Sequence, residues 1–282
     1  MRDITNIIAP GTFLVMKVIV QSSLRDSMGL NDPFYVQYFR WLRNAVRGDL
    51  GKSLRSKKLV TTEILDRLPA TTERAIAAVT FAVIVGVPVG ILSATKPNSW
   101  FDNIAMVLAP TGVGMPVFWQ GIMLILVFSV HLGWLPSSGR MGGFEYLILP
   151  AITLGTASTA SIARLTRSAM LEVLQQDYSR TARSKGLPRR TVTFRHALRN
   201  ALIPVVTMIG LQFGGLMSGA VLTETIFAWP GIGRMIVDAI NNKDFPLVQG
   251  AIMTFALMYA LVNLIIDVTY ALLDPRLRLV YE

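Results

Sequence analysis

The chain has 282 residues, of which 52% are apolar and 16% charged, with a mean hydropathy of +0.50. Soluble chains carry about 25% charged residues, so these figures exclude an ordinary soluble enzyme, and their apolar content excludes intrinsic disorder; the solvent they fit is the bilayer. With no cysteine and two histidines neither a disulfide scaffold nor a metal site is expected, and the net charge of +10 reads as Lys/Arg-rich loops held on the cytoplasmic side rather than as a nucleic-acid surface.

At the N-terminus, Ile4 to Val20 is apolar but interrupted by Pro10, Gly11 and Lys17. Its uncharged run stops at Met16, short of the roughly 20 residues a span needs, so a sixth helix here is left open. Residues 29–74 are expected to form an extracytoplasmic or interfacial segment. Within it Asp32 and Pro33 read as an N-cap and first-turn pair, followed by a broad apolar face from Phe34 to Val46 and an opposite side carrying Arg40, Arg43 and Arg47. Both a helix lying along the membrane and a helix packed on the bundle fit that pattern. Gly51, Lys52 and Ser53 mimic the end of a phosphate-binding loop, but the glycine required five residues earlier is Val46, and no ATP hydrolysis by this chain is expected. The Asp66 to Pro69 run is expected to break the chain before the first span.

Five uncharged stretches of spanning length follow: Ala75 to Thr95, Asn103 to Val130, Tyr146 to Ala163, Asn200 to Thr223 and Phe245 to Ile266. Each is bounded by a charge or a histidine, and each is long enough for a 30 Å hydrocarbon core. The expected fold class is therefore all-α and polytopic, with the transmembrane core at 75–266 and a tail at 267–282. Gly86 and Gly90, Gly210 and Gly214, and Gly215 and Gly219 recur at four-residue spacing, which lets helix backbones approach closely where no hydrophobic force acts between helices. Pro88, Pro110, Pro116, Pro150 and Pro204 read as kinks that such helices tolerate. No ionisable residue lies inside the five stretches. Ion-coupled transporters keep such a group at membrane depth, so any uphill transport is expected to draw its energy from a separate docked subunit. His131 and His196 have no nucleophile beside them in the sequence and are expected to do no catalysis.

The connection Arg164 to Arg199 carries nine basic residues against Glu172 and Asp177 and is predicted to be cytoplasmic; the connections 131–145 and 224–244 carry three basic residues between them and fall outside, and the C-terminal tail with Arg276 and Arg278 falls inside. The spacing within 164–199 predicts that the third span continues through Leu174. A short amphipathic helix then runs from Asp177 to Lys185 with Gly186 as its C-cap, and a second helix covers Arg189 to Leu198.

The run Asp177-Tyr178-Ser179-Arg180-Thr181-Ala182-Arg183-Ser184-Lys185-Gly186, followed by His196 to Pro204, resembles the cytoplasmic loop of ABC importer permeases, and more narrowly that of the dipeptide, oligopeptide and nickel branch. Gly29-Leu30-Asn31-Asp32-Pro33, Gly48 to Gly51, Leu132 to Pro136, Phe227 to Gly233 and Asp274-Pro275-Arg276 extend the resemblance over roughly residues 29–279. It implies a type I importer fold and a bacterial inner-membrane subunit with no cofactor of its own, working with a second permease subunit, two ATPase subunits and an extracytoplasmic solute-binding protein. It implies that Asp177, Tyr178, Arg180, Thr181, Ala182, Arg183, Lys185 and Gly186 form the loop on which the ATPase docks, and that Trp229, Pro230 and Gly231 form an outer loop beside the pore or the binding protein. Arg180 and Thr181 depart from the acid and alanine of the general family pattern, as in the peptide branch. The cargo it implies is a peptide, with glutathione, nickel chelates and sugars handled by close relatives. Residues 1–28 match neither the family's long first helix nor its Pro-Gly-Asp-Pro stretch, and are expected to be a truncated or altered start.

Overall fold

The computed structural model describes residues 31–218 and 221–273; among them the regular elements are helices, with one isolated β-bridge joining Lys52 to Leu59. The stretch Ile4 to Val20, Gly219, and the tail with Arg276 and Arg278 lie outside the described residues. Residues 31–51 form a unit of their own and residues from Lys52 onward another.

In the first unit α1 spans Phe34–Val46. The expected cap is displaced by one position, because Pro33 occupies the N-cap site and no side chain caps the helix. The Asp32 carboxylate is taken instead by Arg40 at 2.7 Å, which leaves the Pro33 carbonyl to receive the amides of Val36 and Gln37. Phe34, Tyr35, Tyr38, Phe39 and Val46 are exposed.

In the second unit α2 spans Val60–Thr95, α3 Trp100–Gly114 and α4 Val117–Leu124, the last prolonged by a π-helical run Ile125–His131. Then come α5, Glu145–Gln175, and α6, Asp177–Ser184. A turn Arg189–Thr191 and a π-helical run Val192–Ala197 lead without a break into α7, Leu198–Ser218. The chain ends in α8 (Val221–Ile226), α9 (Ile232–Asn241) and α10 (Phe245–Leu273). Among the described residues four continuous runs are long and apolar enough to cross a bilayer, Val60–Thr95, Glu145–Gln175, Arg189–Met217 and Phe245–Ile266, and the bent pair Trp100–Gly114 with Val117–His131 makes a fifth if it is one span.

Three expectations are corrected here. The Asp66 to Pro69 run does not break the chain, since α2 passes through Pro69. A proline inside a helix costs about 3 kcal/mol or more, but Val60 and Ile64 before it and Ala70 and Thr71 after it are all buried, so tertiary packing holds both halves in line. The stretch Asn103 to Val130 is not one straight helix: α3 and α4 meet at 105°. Pro116 disfavours helical backbone at the residue before it, and Met115 accordingly turns extended, at φ −75° and ψ 127°. The helix predicted to end at Leu198 instead runs straight on into α7.

The centre of the unit is the pair α2 and α5, which run side by side in the same direction. Ala70 packs with Leu147, Ala78 with Leu154, Ala82 with Ile162 and Ile91 with Met170. Glycine sets their separation. A Cβ at Gly86 would lie 2.9 Å from the Thr159 carbonyl oxygen, one at Gly90 2.6 Å from that of Ala163, and one at Gly155 2.7 Å from that of Ala78. Gly155 was not among the expected contact glycines because it has no partner four residues away. The helix α7 runs back against α5 through Ala201 and Val205, and α10 lies on α7 where Gly210 faces Ile266 and Gly214 faces Tyr259. Within this chain a Cβ at Gly215 meets nothing within 4 Å.

Candidate functional site

The charged connection 164–199 folds as a hairpin. The helix α5 runs on past Arg167 to Gln175, and a single extended residue, Gln176, joins it to α6. The Gln176 carbonyl receives the amides of Ser179 and Arg180, and the buried Ser179 hydroxyl donates to the Val173 carbonyl at 2.9 Å, so α6 is locked to the end of α5. On its other side the Asn200 amide donates to the Tyr178 hydroxyl at 3.0 Å. Gly186 ends the helix at φ +79°, a conformation glycine adopts without penalty, with the Leu187 amide bonded back to the Ala182 carbonyl.

Asp177, Tyr178, Arg180, Thr181, Ser184, Lys185 and Gly186 are exposed, Ala182 is half-buried and Ser179 is buried. Arg183 belongs to the same helix, and its side chain lies outside the described residues. A cleft of about 490 Å³ opens between the ends of α2 and α5 and the turn that precedes α7, lined by Ala94, Leu171, Leu174, Arg189, Arg190 and Phe194. A little further along α5 stands an ion pair that the sequence did not reveal: the Arg167 guanidinium makes a two-pronged contact with Asp102 of α3, at 2.6 and 2.7 Å.

Trp229, Pro230 and Gly231 lie at the opposite end of α2. The Trp229 ring is fully buried and its indole N–H donates to the Ala70 carbonyl at 2.8 Å; Gly231 is buried as well, and Pro230 alone of the three is exposed. Trp229 and Gly231 thus lie inside the turn, and Pro230 offers its exposed surface. The reason is a buried carboxylate. Glu224 of α8 accepts from the Thr71 hydroxyl and the Arg234 amide, each at 2.9 Å, and pairs with Arg74 at 3.0 Å. Turning the chain around that group leaves no room at Gly231, where a Cβ would lie 2.1 Å from the Glu224 oxygen. In the sequence Arg74 and Glu224 served only as charges bounding two spans. Arg140 covers this knot, 5.9 Å over the Trp229 ring and bonded to Glu73.

Ser53 of the false phosphate-binding loop has a different occupation: its hydroxyl donates to Asp244 at 2.5 Å. The amides of Leu54, Arg55 and Leu247 bond the same carboxylate. Burial alone would raise the Asp244 carboxyl, but the Ser53 hydroxyl and these three amides outweigh it and hold the group below the usual carboxylate range.

Residues 86–279 match the family model described as binding-protein-dependent transport system inner membrane component. The di/tripeptide transport system permease protein DppB of Pseudomonas aeruginosa is 48% identical, the match covering 89% of this chain and 83% of that protein. The dipeptide transport system permease protein DppB of Alkalihalophilus pseudofirmus is 46% identical, over 91% of this chain and 85% of that one. The glutathione transport system permease protein GsiC of Escherichia coli is 45% identical over 90% and 83%. Among solved structures, an inward-facing MetNI methionine ABC transporter chain shares the fold at a TM-score of 0.63 and 16% identity, covering 75% of this chain and 96% of that chain. With its spanning helices and these likenesses together, the chain belongs to the binding-protein-dependent transport system inner membrane component family, as a multi-pass permease subunit of an ABC importer.

Proposed function

We propose that the chain conducts peptides across the inner membrane, driven by an ATPase subunit that docks on α6. The carrying observation is the hairpin: an exposed eight-residue helix, continuous with α5 through one residue and bonded at Ser179 and Tyr178 to both neighbouring helices. A helix held in that way passes a push on its outer face directly to α5 and α7. The positive charge of residues 164–199 supports a cytoplasmic position for the hairpin, and with it a cytoplasmic C-terminus and an outward Glu224 knot. The working assembly in this reading is this chain with a second permease subunit, two ATPases and an extracytoplasmic binding protein. Peptide cargo is supported by the names of relatives at 46 and 48% identity, glutathione being the second candidate on the name of a relative at 45%.

The test replaces Gly186 with Trp and Arg183 with Glu in the complete transporter reconstituted in liposomes. Uptake of a radiolabelled dipeptide should fall at least tenfold in both variants while membrane insertion is unchanged. Wild-type uptake in both would overturn the docking role. Saturation by glutathione with no dipeptide uptake would reassign the cargo.

A further inference from the structure

The docking helix and the sharply bent pair α3–α4 belong to different parts of the chain, and the structure joins them at few points. Along α3 only Asp102 and Ala109 are buried, and along α4 only Gly121; Val107, Leu108, Val113, Phe118, Trp119 and Ile122 are all exposed. Apolar packing within this chain therefore holds the bent pair weakly. Among the described residues, two side-chain contacts tie it to α5. Near the break, the Gln120 amide donates to the Thr156 hydroxyl at 2.8 Å. At the other end of α3, Arg167 grips both oxygens of Asp102. Eleven residues of α5 separate the two anchors, about 16 Å at 1.5 Å per residue.

The Asp102 end is built around this contact. The carboxylate is almost wholly excluded from solvent. It accepts the Asn98 amide at 2.9 Å, Asn98 adopts φ +60°, and the Ser99 hydroxyl caps the helix by accepting the Asp102 amide. The loop from Lys96 to Ser99 is thus wound around the group that Arg167 holds. Arg167 in turn stands two turns before Gln175, on the same rigid helix that leads into α6.

Resting on the proposed docking of an ATPase at α6, we propose that the Arg167–Asp102 pair is the relay that carries movement of α6 and α5 to the bent pair α3–α4. Arg167 and Asp102 act as positioning residues: they fix how far α3 follows α5. A planar two-pronged contact transmits shift and rotation alike, which a single bond does not. The π-helical run Ile125–His131 and the break at Met115 are then the places where the bent pair yields.

The experiment uses the complete transporter in liposomes and reads dipeptide taken up per ATP hydrolysed, with ATPase copurification and membrane content as controls. Asp102→Asn and Arg167→Met should each lower that ratio at least tenfold with ATPase binding retained, and Arg167→Lys should fall between. Because the natural chain has no cysteine, the double variant Asp102→Cys with Arg167→Cys can be joined by a short bifunctional thiol reagent. Joining should restore the ratio that the unjoined protein has lost. An unchanged ratio in Asp102→Asn and Arg167→Met, or quantitative joining without restoration, would overturn the relay. If the hairpin variants Gly186→Trp and Arg183→Glu uncouple uptake while the pair variants do not, the relay alone fails; if the hairpin variants also behave as wild type, the docking reading fails.

Discussion

Arg74 and Glu224 meet at 3.0 Å with neither side chain reaching solvent, and they pin α2 to α8 inside a knot closed by Thr71, Trp229 and Arg140. Two charges removed from water repay their desolvation only when both are present and hydrogen-bonded. Replacing Glu224 with Gln or Arg74 with Met leaves one buried charge alone and should cost about 3–5 kcal/mol. The double variant Arg74→Met with Glu224→Gln should cost less than the sum of the two. Thermal unfolding of the detergent-purified subunit measures this, and additive losses would show that the two charges are not each other's main partner.

The glycines of α2 and α7 make a sharper contrast. Gly90→Ala places a methyl group 2.6 Å from the Ala163 carbonyl oxygen and the Thr166 side chain, where backbone must move, and should destabilise by about 1–3 kcal/mol. Gly215→Ala meets open space and gains the better helix former, worth up to about 1 kcal/mol. Opposite shifts in unfolding temperature are expected; a Gly90→Ala protein as stable as wild type would mean that α2 and α5 are not held at this separation.

How much of this was legible in the sequence depended on the range of the interaction. Spanning segments follow from runs of uncharged residues, and Gly186 as a helix stop follows from local backbone preference, so both could be read directly. Pro69 was misread because its cost is local while the burial of Val60, Ile64, Ala70 and Thr71 that outweighs it is not. The Met115–Pro116 bend was hidden because an apolar run carries no direction. Arg74 with Glu224, and Asp102 with Arg167, looked like ordinary span boundaries; nothing along the chain marks which boundary charges will meet. Trp229 read as a loop residue for the same reason, since its indole partner, the Ala70 carbonyl, is a backbone group far away in sequence.

Asp244 should make stability depend on acid. Its carboxyl titrates below the usual range when folded and near 3.9 when unfolded, so its contribution is present at neutral pH and is lost as pH falls through the folded value. Asp244→Asn should lower stability at pH 7 and flatten its dependence on pH between roughly 5 and 3. Unfolding temperatures across that range provide the check: a variant whose slope matches wild type would assign the acid sensitivity to other carboxylates.

Ser179 tests whether the hairpin works as a rigid piece. Its hydroxyl is buried and donates to the Val173 carbonyl at the last turn of α5, which the Gln176 amide also bonds, so Ser179→Ala removes one of two bonds to that acceptor at a cost of about 0.5–1.5 kcal/mol. The loss falls on the joint between α5 and α6, while the exposed face of α6 keeps its side chains. Dipeptide uptake should therefore drop with ATPase copurification intact, and amide exchange should quicken at Ser179 and Arg180, whose N–H groups depend on the Gln176 turn. Tyr178→Phe, which releases Asn200 on the other side, should give a smaller drop, because that bond is exposed and water replaces it. Equal loss of uptake and of ATPase binding in Ser179→Ala would instead mean that the hydroxyl shapes the docking face itself.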